Sequence, residues 1–361
     1  MVPLGNRVSR VRRFSFLRKV AALGKTGAEG SGKPIMVATP EQHKTGRIQL
    51  HTWRDFTKIM KIMSDGQWIF RGHKSVKYHL DSGLDRFIKD VVDARAKRDI
   101  RTDPESFKFT LPRAEHFAIA NFRAKTQEFH EWPTNASALL AMQHYGAKTR
   151  LLDFSKSIMV ALFFAYEEKL TGEERAVYAI NYRNLLERGG WRGKYLTYAT
   201  ESDLSVRGDE ELWWEVESQI ENYYFHKFML EEAEKVVNNG CSDLGIMPLY
   251  KARFNKRQMA QSGIELMPCT FDGFTRNLAA VLDVKEGEID DPPGTGIESI
   301  ARQPNADARF PTSLIKFVFD ADMEDDAWRV LDQANVNAAT IYSDLEGIAK
   351  SVRYNDRILG L

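Results

Sequence analysis

The sequence from 143 to 165, QHYGAKTRLLDFSKSIMVALFFA, joins a dense polar segment to an almost entirely apolar one. The apolar part, residues 158–168, has hydrophobic residues on nearly every side of a helix, which predicts a helix buried at the centre of the fold. The polar part comes directly before this helix, where the helix N-terminus favours anions. The segment therefore predicts both a core element and a binding site beside it.

Helices and short strands alternate on both sides of this segment. The hydrophobic periodicity predicts helices over 49–63, over 85–130 with breaks near Pro104 and Pro112, and over 136–145, 209–237, 325–334 and 344–350. Strands are predicted at 67–70, 176–182, 264–267 and 314–319, and loops at 189–193 and 283–296. The class expected from this pattern is α+β, with a small mixed sheet core flanked by many helices.

The composition limits the class of protein. With 361 residues, 43% hydrophobic and 28% charged, the chain suits one or two ordinary globular domains. A net charge of +1 gives no overall field that favours nucleic acid, and no apolar run approaches the roughly 20 residues that span a bilayer. Two cysteines are too few for a disulfide framework and suit a reducing compartment. We therefore expect a soluble, cytoplasmic protein that makes no membrane contact.

Charge is concentrated at the beginning of the chain. Residues 1–33 hold eight basic side chains and one acidic one, and their last ten positions are rich in glycine. This composition predicts a mobile basic arm over 1–46 and an α+β domain over 47–361, whose motif core spans about 63–168. Weak contact of residues 1–33 with nucleic acid or an acidic protein and a merely solvated tail both stay open.

Residues 68–72, Trp-Ile-Phe-Arg-Gly, predict a strand that delivers Arg71 into a turn at Gly72. A guanidinium beside a glycine offers a fork of donors where a phosphate group can come close, so both are candidate ligand-binding residues. The alternative is a buried Arg71 paired with a carboxylate that fixes the turn.

The polar segment before the apolar helix supplies further candidates. Seven of its polar side chains lie close together in sequence, and their density predicts that some of them face a ligand: Gln143, His144, Thr149, Arg150, Asp153, Ser155 and Ser157. The candidate ligand-binding residues among them are His144, Thr149, Arg150, Ser155 and Ser157. The alternatives are local, since a serine can cap the helix and Arg150 can pair with Asp153. A hydrolytic triad from this segment is also conceivable, but three such residues within a dozen positions often occur by chance.

The third candidate group lies at 261–268, Gln-Ser-Gly-Ile-Glu-Leu-Met-Pro. If the strand includes residue 261, its period of two puts Gln261, Gly263 and Glu265 on one face, with a gap at the glycine. A bulge or a plain edge strand is the alternative. Because the eight histidines are scattered and no cysteines are closely paired, we predict no metal site.

These motifs resemble those of the FRG-domain family, which is named for a Phe-Arg-Gly motif. The resemblance rests on FRG at 70–72, QHYG at 143–146, TRLLDFS at 149–155 and ALFFA at 161–165, and it extends over about residues 47–350. The family is largely described as uncharacterised, so this resemblance alone implies no activity.

The order of the three motifs is more distantly similar to that in ADP-ribosyltransferases that use NAD. That resemblance implies an ADP-ribosyltransferase-like architecture, in which Arg71 holds the NAD phosphates and ribose and a serine at 155 or 157 supports the nicotinamide side. It also implies a carboxylate from the third motif, so that Arg71, Gln261 and Glu265 become the candidate catalytic residues. The residues that would bind NAD are Arg71, Gly72, His144, Thr149, Arg150, Ser155 and Ser157.

The sequence departs from that pattern at one position. Gly263 stands where the catalytic glutamate is expected, and Glu265 lies roughly 7 Å further along the strand. Two functions stay open as a result. Either Glu265 reaches across Gly263 and the chain transfers ADP-ribose from NAD to protein, nucleic acid or water, or the pocket only binds a nucleotide or a partner protein.

Overall fold

The computed structural model describes residues 44–63, 67–98, 100, 103, 107–168, 170, 172–201, 223–250, 261–297, 312–342 and 345–358. The chain divides into two units, Met1–Glu41 and Gln42–Leu361, and every described residue belongs to the second. Residues 1–43 of the expected basic arm, and residues 209–222 of the helix predicted at 209–237, lie outside the described residues.

Seven strands of the described chain form one mixed sheet in the order β1-β7-β4-β2-β3-β6-β5. The strands are β1 Thr45–Leu50, β2 Trp68–His73, β3 Leu152–Ser155, β4 Arg175–Asn181, β5 Ile246–Tyr250, β6 Gly263–Pro268 and β7 Leu314–Phe319. Only β1 and β7 pair in parallel, and every other neighbouring pair is antiparallel.

Helices cover both faces of this sheet, which confirms the predicted α+β class. Those in the first half are α1 Trp53–Ile62, α2 Gly83–Ala96, α3 Phe107–Thr126, α4 Asn135–His144, α5 Ile158–Tyr166, α6 Tyr182–Arg188 and α7 Trp191–Glu201. Those in the second half are α8 Tyr223–Asn239, α9 Phe274–Leu282, α10 Gly287–Asp290, α11 Glu324–Gln333, α12 Ala338–Tyr342 and α13 Leu345–Ile358.

Alternate residues of the central strands enter different hydrophobic cores. Trp68 and Phe70 of β2 pack in one core with α5, whereas Ile69 between them packs in the other core with α4. Every residue of β4 and β7 is buried. The sheet therefore has an apolar layer on each side, as strands without a solvent face require.

Helix α5 fixes the position of β2. Ser157 begins this helix as its N-cap, where its hydroxyl accepts from the Val160 amide at 3.4 Å. A Cβ at Gly72 would lie 1.8 Å from the Ala161 carbonyl oxygen, so only glycine lets the strand lie this close to the helix. The predicted turn at Gly72 is wrong, because β2 continues to His73 and pairs with β4 throughout.

Several elements differ from the sequence predictions. Strands β3 and β5 were not predicted, the predicted loop at 283–296 contains α10, and the helix predicted at 344–350 runs to 358. Residues 49–50 belong to β1 rather than to a helix, since they pair with β7 more than 260 positions away. Pro112 lies in the second turn of α3 without ending it, although its missing N–H removes one backbone hydrogen bond. The predicted loop at 189–193 is a two-glycine turn, after which α7 begins at Trp191.

The sheet is least continuous between β2 and β3. Strand β2 pairs with β4 at six positions but with β3 at one, where Phe70 lies opposite Ser155. Strand β3 pairs with β6 at four positions. The two halves of the sheet thus meet at a single residue pair, and beyond it β2 and β3 separate.

Candidate functional site

A cavity of about 700 Å³ lies where β2 and β3 separate. Its volume is within the range of ordinary small-molecule sites, roughly 300–1,000 Å³. Its lining comes from β2 and the segment after it, the end of α4, β3, α5 and the residues at the start of β6. The polar members of the lining include Arg71, His73, Lys74, Lys77, His79, Asp81, Arg86, Gln143, His144, Asp153, Ser155, Glu167, Glu168 and Gln261.

Arg71 contributes a half-buried cation to the cavity wall. Its Nη1 donates to the Asp153 carbonyl oxygen at 2.7 Å and its Nε donates to His73 Nε2 at 3.1 Å. Burial lowers the pKa of Arg71 to about 10, although the Asp153 carboxylate opposes that shift, so the guanidinium stays charged at neutral pH. Within the described part of the chain, Nη2 makes no hydrogen bond and the guanidinium forms no ion pair.

His73 holds Arg71 in position. Burial, and then the neighbouring Arg71 charge, lower the pKa of His73 to about 3, so its imidazole is neutral at physiological pH. Nε2 accepts from Arg71, and the hydrogen-bond network therefore assigns the ring proton to Nδ1, which donates to the Tyr78 carbonyl at 3.2 Å. Sequence reasoning missed His73, although a strand's period of two puts residues 71 and 73 on one face.

Two further wall residues come from the QHYG and TRLLDFS motifs but were not among the predicted ligand-binding side chains. Gln143 donates through Nε2 to Asp153 Oδ2 at 2.7 Å, and both residues line the cavity. Thr149 donates to Gln143 Oε1 at 2.5 Å and is itself 2% exposed, outside the lining. Thr149 therefore orients a wall residue from behind, where direct ligand contact was predicted.

The two serines have different positions. Ser155 lines the cavity, and its hydroxyl donates to the Gln261 carbonyl at 2.7 Å while accepting from the Ser157 amide at 3.0 Å. Ser157 is the N-cap of α5 and lies outside the lining, so for this residue the local alternative holds. Gln261 lines the cavity, but β6 begins only at Gly263 after a left-handed Ser262, with φ of 46°. The expected single strand face for 261, 263 and 265 is therefore wrong at its first position.

Glu265 lies outside the cavity lining. It is 0% exposed in the middle of β6, opposite Asp153 on one side and Leu249 on the other. Gly263 does line the cavity, and a Cβ there would meet only the Phe154 carbonyl oxygen, at 3.9 Å. The gap that the sequence indicated at Gly263 is present, whereas the carboxylate expected to reach across it is buried within the sheet.

Arg150 also lies outside the lining, in a pocket of its own. Its Nη2 donates to Glu115 Oε2 at 2.9 Å, and its Nη1 donates to the carbonyls of Pro268 and Cys269. The guanidinium is 3% exposed and stacks over Phe271 at 4.5 Å. The carboxylate partner is therefore Glu115 rather than Asp153, and the placement of Arg150 is that of a structural ion pair.

The structure thus gathers part of the predicted set into one cavity. Arg71, Gly72, His144, Ser155 and Gln261 line it, whereas Thr149, Arg150, Ser157 and Glu265 do not. No group of three or more metal-ligating side chains occurs within the described ranges. Likewise, none of the described helices is long and apolar enough to cross a membrane.

A comparison with known protein families gives a match for the part of the chain around the cavity. Residues 66–174 match the family model of the FRG domain, a stretch that begins just before β2 and ends before β4. It contains Arg71, Gln143, Asp153 and Ser155, and so supplies most of the cavity wall. No curated protein and no solved structure matches the chain. The similarity to the FRG domain therefore covers the part of the chain that forms most of the cavity wall.

Proposed function

We propose that the cavity between β2 and β3 binds NAD and that the chain is an ADP-ribosyltransferase-like protein. The observation that carries this proposal is Arg71, a half-buried, charged guanidinium at a cavity wall with its Nη2 not engaged by the described protein. A desolvated guanidinium forms strong, charge-assisted hydrogen bonds with phosphate oxygens. The pyrophosphate of NAD supplies such oxygens.

The rest of the wall suits the remainder of a dinucleotide. Phe154 and Phe164 line the cavity with apolar surface, and Gly263 leaves room beside Ser155. The Ser155 hydroxyl is held by its bonds to Gln261 and Ser157, so this wall is preorganised. The volume, the cation and the apolar rings together favour a phosphate-bearing ligand with flat groups.

Transfer of ADP-ribose makes a further demand. As the bond between ribose and nicotinamide breaks, positive charge develops on the ribose, and a carboxylate nearby stabilises it. Glu265 is the carboxylate that the motif order implies, and it would need a movement of β6 to reach the ligand. Its full burial favours a second candidate, a non-catalytic module that binds a nucleotide or a partner protein in the same cavity.

One experiment separates these candidates. NAD is incubated with the purified protein and followed by one-dimensional NMR, with Arg71→Ala as the test variant and Ser157→Ala as the matched control outside the cavity. Free nicotinamide that Arg71→Ala abolishes and Ser157→Ala preserves supports the enzyme. Broadening of NAD signals without release, again lost in Arg71→Ala, supports the binding module. Unperturbed NAD signals with the wild-type protein contradict the enzyme and NAD binding by the module, and leave only a cavity that binds something other than NAD.

The basic segment 1–33 belongs to a separate part of the proposal. Eight basic side chains in this stretch would contact phosphate groups of nucleic acid, and such binding weakens steeply as salt rises. Removal of residues 1–33 is expected to abolish any salt-sensitive RNA binding in a filter assay and to leave NAD binding intact. NAD affinity that falls with the truncation would contradict this division of roles.

A further inference from the structure

Four acidic residues of the described chain line the cavity, Asp81, Asp153, Glu167 and Glu168. Asp153 is the one whose charge acts on Arg71, and a hydrogen-bonded chain fixes its orientation. We propose that Asp153 accepts hydrogen bonds from ribose hydroxyls of the bound nucleotide, with Gln143 and Thr149 as positioning residues behind it. The inference rests on the proposed function, because it assumes that the cavity ligand is a nucleotide.

The positioning chain runs from a buried hydroxyl to the cavity. The Thr149 hydroxyl accepts from the Leu151 amide at 3.2 Å and donates to Gln143 Oε1 at 2.5 Å. With Oε1 occupied in this way, the Gln143 amide presents Nε2, which donates to Asp153 Oδ2 at 2.7 Å. The three side chains thus form one directed series that leaves little freedom to the carboxylate.

The position of Asp153 relative to Arg71 matches the layout of a nucleotide. The Asp153 carbonyl accepts from Arg71 Nη1, and the Asp153 carboxylate favours the charged form of Arg71. The cavity therefore holds an anion-binding donor and a hydrogen-bond acceptor next to each other. A nucleotide carries phosphate and ribose in the same way, and an ionised carboxylate only accepts, as the two hydroxyls of a ribose require.

The charge of Asp153 also selects against simpler anions. A carboxylate beside the guanidinium repels inorganic pyrophosphate, which carries more negative charge than the pyrophosphate of NAD and has no ribose hydroxyls to compensate for that repulsion. A nucleotide offsets the repulsion with hydrogen bonds from its ribose. Asp153 should therefore have opposite effects on the binding of the two kinds of ligand.

Calorimetric titration of NAD and of inorganic pyrophosphate tests whether Asp153 has opposite effects on the affinities for the two ligands. Asp153→Asn keeps the shape of the side chain and removes its charge. We expect at least about tenfold weaker NAD binding, the effect of losing a charge-assisted hydrogen bond, together with pyrophosphate binding that is unchanged or tighter. Thr149→Val, which keeps all charges, is expected to weaken NAD binding several-fold and to leave pyrophosphate binding unchanged.

Each other result counts against the inference. If Asp153→Asn weakens both ligands equally, the role of Asp153 is structural. If it leaves NAD affinity unchanged, Asp153 does not contact the ribose, although the proposed function stands because the wild-type protein still binds NAD. If the wild-type protein does not bind NAD, the proposed function fails and this inference fails with it.

Discussion

Two arginines in this fold, Arg150 and Arg71, lie in contrasting surroundings. Arg150 is buried and enclosed by protein, with Glu115 as its counter-ion, two carbonyls as acceptors and an aromatic ring below it. Arg71 is half-buried, with one carbonyl and one imidazole as partners, no ion pair among the described residues, and a cavity beside it. The two arginines therefore differ both in exposure and in the partners that the protein supplies.

What distinguishes them is where the remaining hydrogen-bonding capacity lies. Desolvating a cation is costly unless it is paired, and in Arg150 the protein supplies the pair. In Arg71 the His73 and Asp153 contacts orient the guanidinium but leave its charge without a direct counter-ion in the described chain. A ligand anion would supply the counter-ion that Arg71 lacks in the described chain, whereas Arg150 already has its counter-ion in Glu115.

The largest expected effects come from removing each arginine. Arg150→Ala leaves the Glu115 carboxylate buried without its partner, and we expect the free energy of unfolding in urea to fall by about 3–5 kcal/mol. Arg71→Ala should lose NAD binding in a titration while changing stability far less. The comparison breaks if Arg150→Ala weakens NAD binding in fully folded protein, or if Arg71→Ala unfolds the chain and Arg150→Ala does not.

Substitutions at two glycines test the same contrast between a structural residue and a cavity residue, with a slightly smaller expected effect on stability. Gly72→Ala forces a Cβ against the α5 backbone, so we expect a loss of about 3 kcal/mol in unfolding free energy. Gly263→Ala has no neighbour closer than 3.9 Å and should keep its stability while it narrows the cavity and weakens NAD binding. Equal thermal midpoints for the two variants would contradict this account.

The neutrality of His73 predicts a pH dependence. Because its pKa is lowered from 6.5 to about 3 in the folded protein, only the unfolded chain takes up this proton between those pH values. Stability therefore falls as pH falls through that window, by about 1.4 kcal/mol per pH unit, or about 2 kcal/mol between pH 7 and pH 5. Urea denaturation at both pH values should show a smaller fall for His73→Gln. An equal fall in both proteins would mean that His73 is not held neutral.

The smallest effect is expected at the α5 N-cap. Ser157→Ala removes the acceptor for the Val160 amide and should cost about 1 kcal/mol in unfolding free energy, with NAD affinity unchanged. Ser157→Asp, which retains a capping oxygen, is the control and should restore most of the loss. Reduced NAD affinity in Ser157→Ala would contradict this account, because it would mean that Ser157 contributes to the cavity wall.

The elements predicted most accurately from the sequence are those whose own residues already indicate how they are buried. Strands β4 and β7 and helix α5 are apolar almost throughout and are buried on both sides, so short windows sufficed. The last two residues of β1 were predicted as the start of a helix, because the burial of this strand depends on β7, at the other end of the chain. Long-range pairing leaves little trace in a short window.

The candidate site residues also divide into those that the local sequence indicates and those whose role depends on distant parts of the fold. Arg71 was found because its motif is distinctive, and His73 could have been found from the strand period. Nothing in the segment 143–157 separates Gln143 from Arg150, since both are polar residues of the same segment. Their roles depend on what each meets in the fold, Asp153 in one case and Glu115, 35 positions earlier, in the other. The position of Glu265 was equally hidden, because its burial depends on β3 and β5, which pair on either side of it.

A crystal structure of the protein with NAD would test the central claim most directly. The account predicts electron density for NAD between β2 and β3, with a pyrophosphate oxygen within hydrogen-bonding distance of the Arg71 guanidinium. NAD phosphates bound away from Arg71, or a cavity still without ligand at saturating NAD, would contradict it.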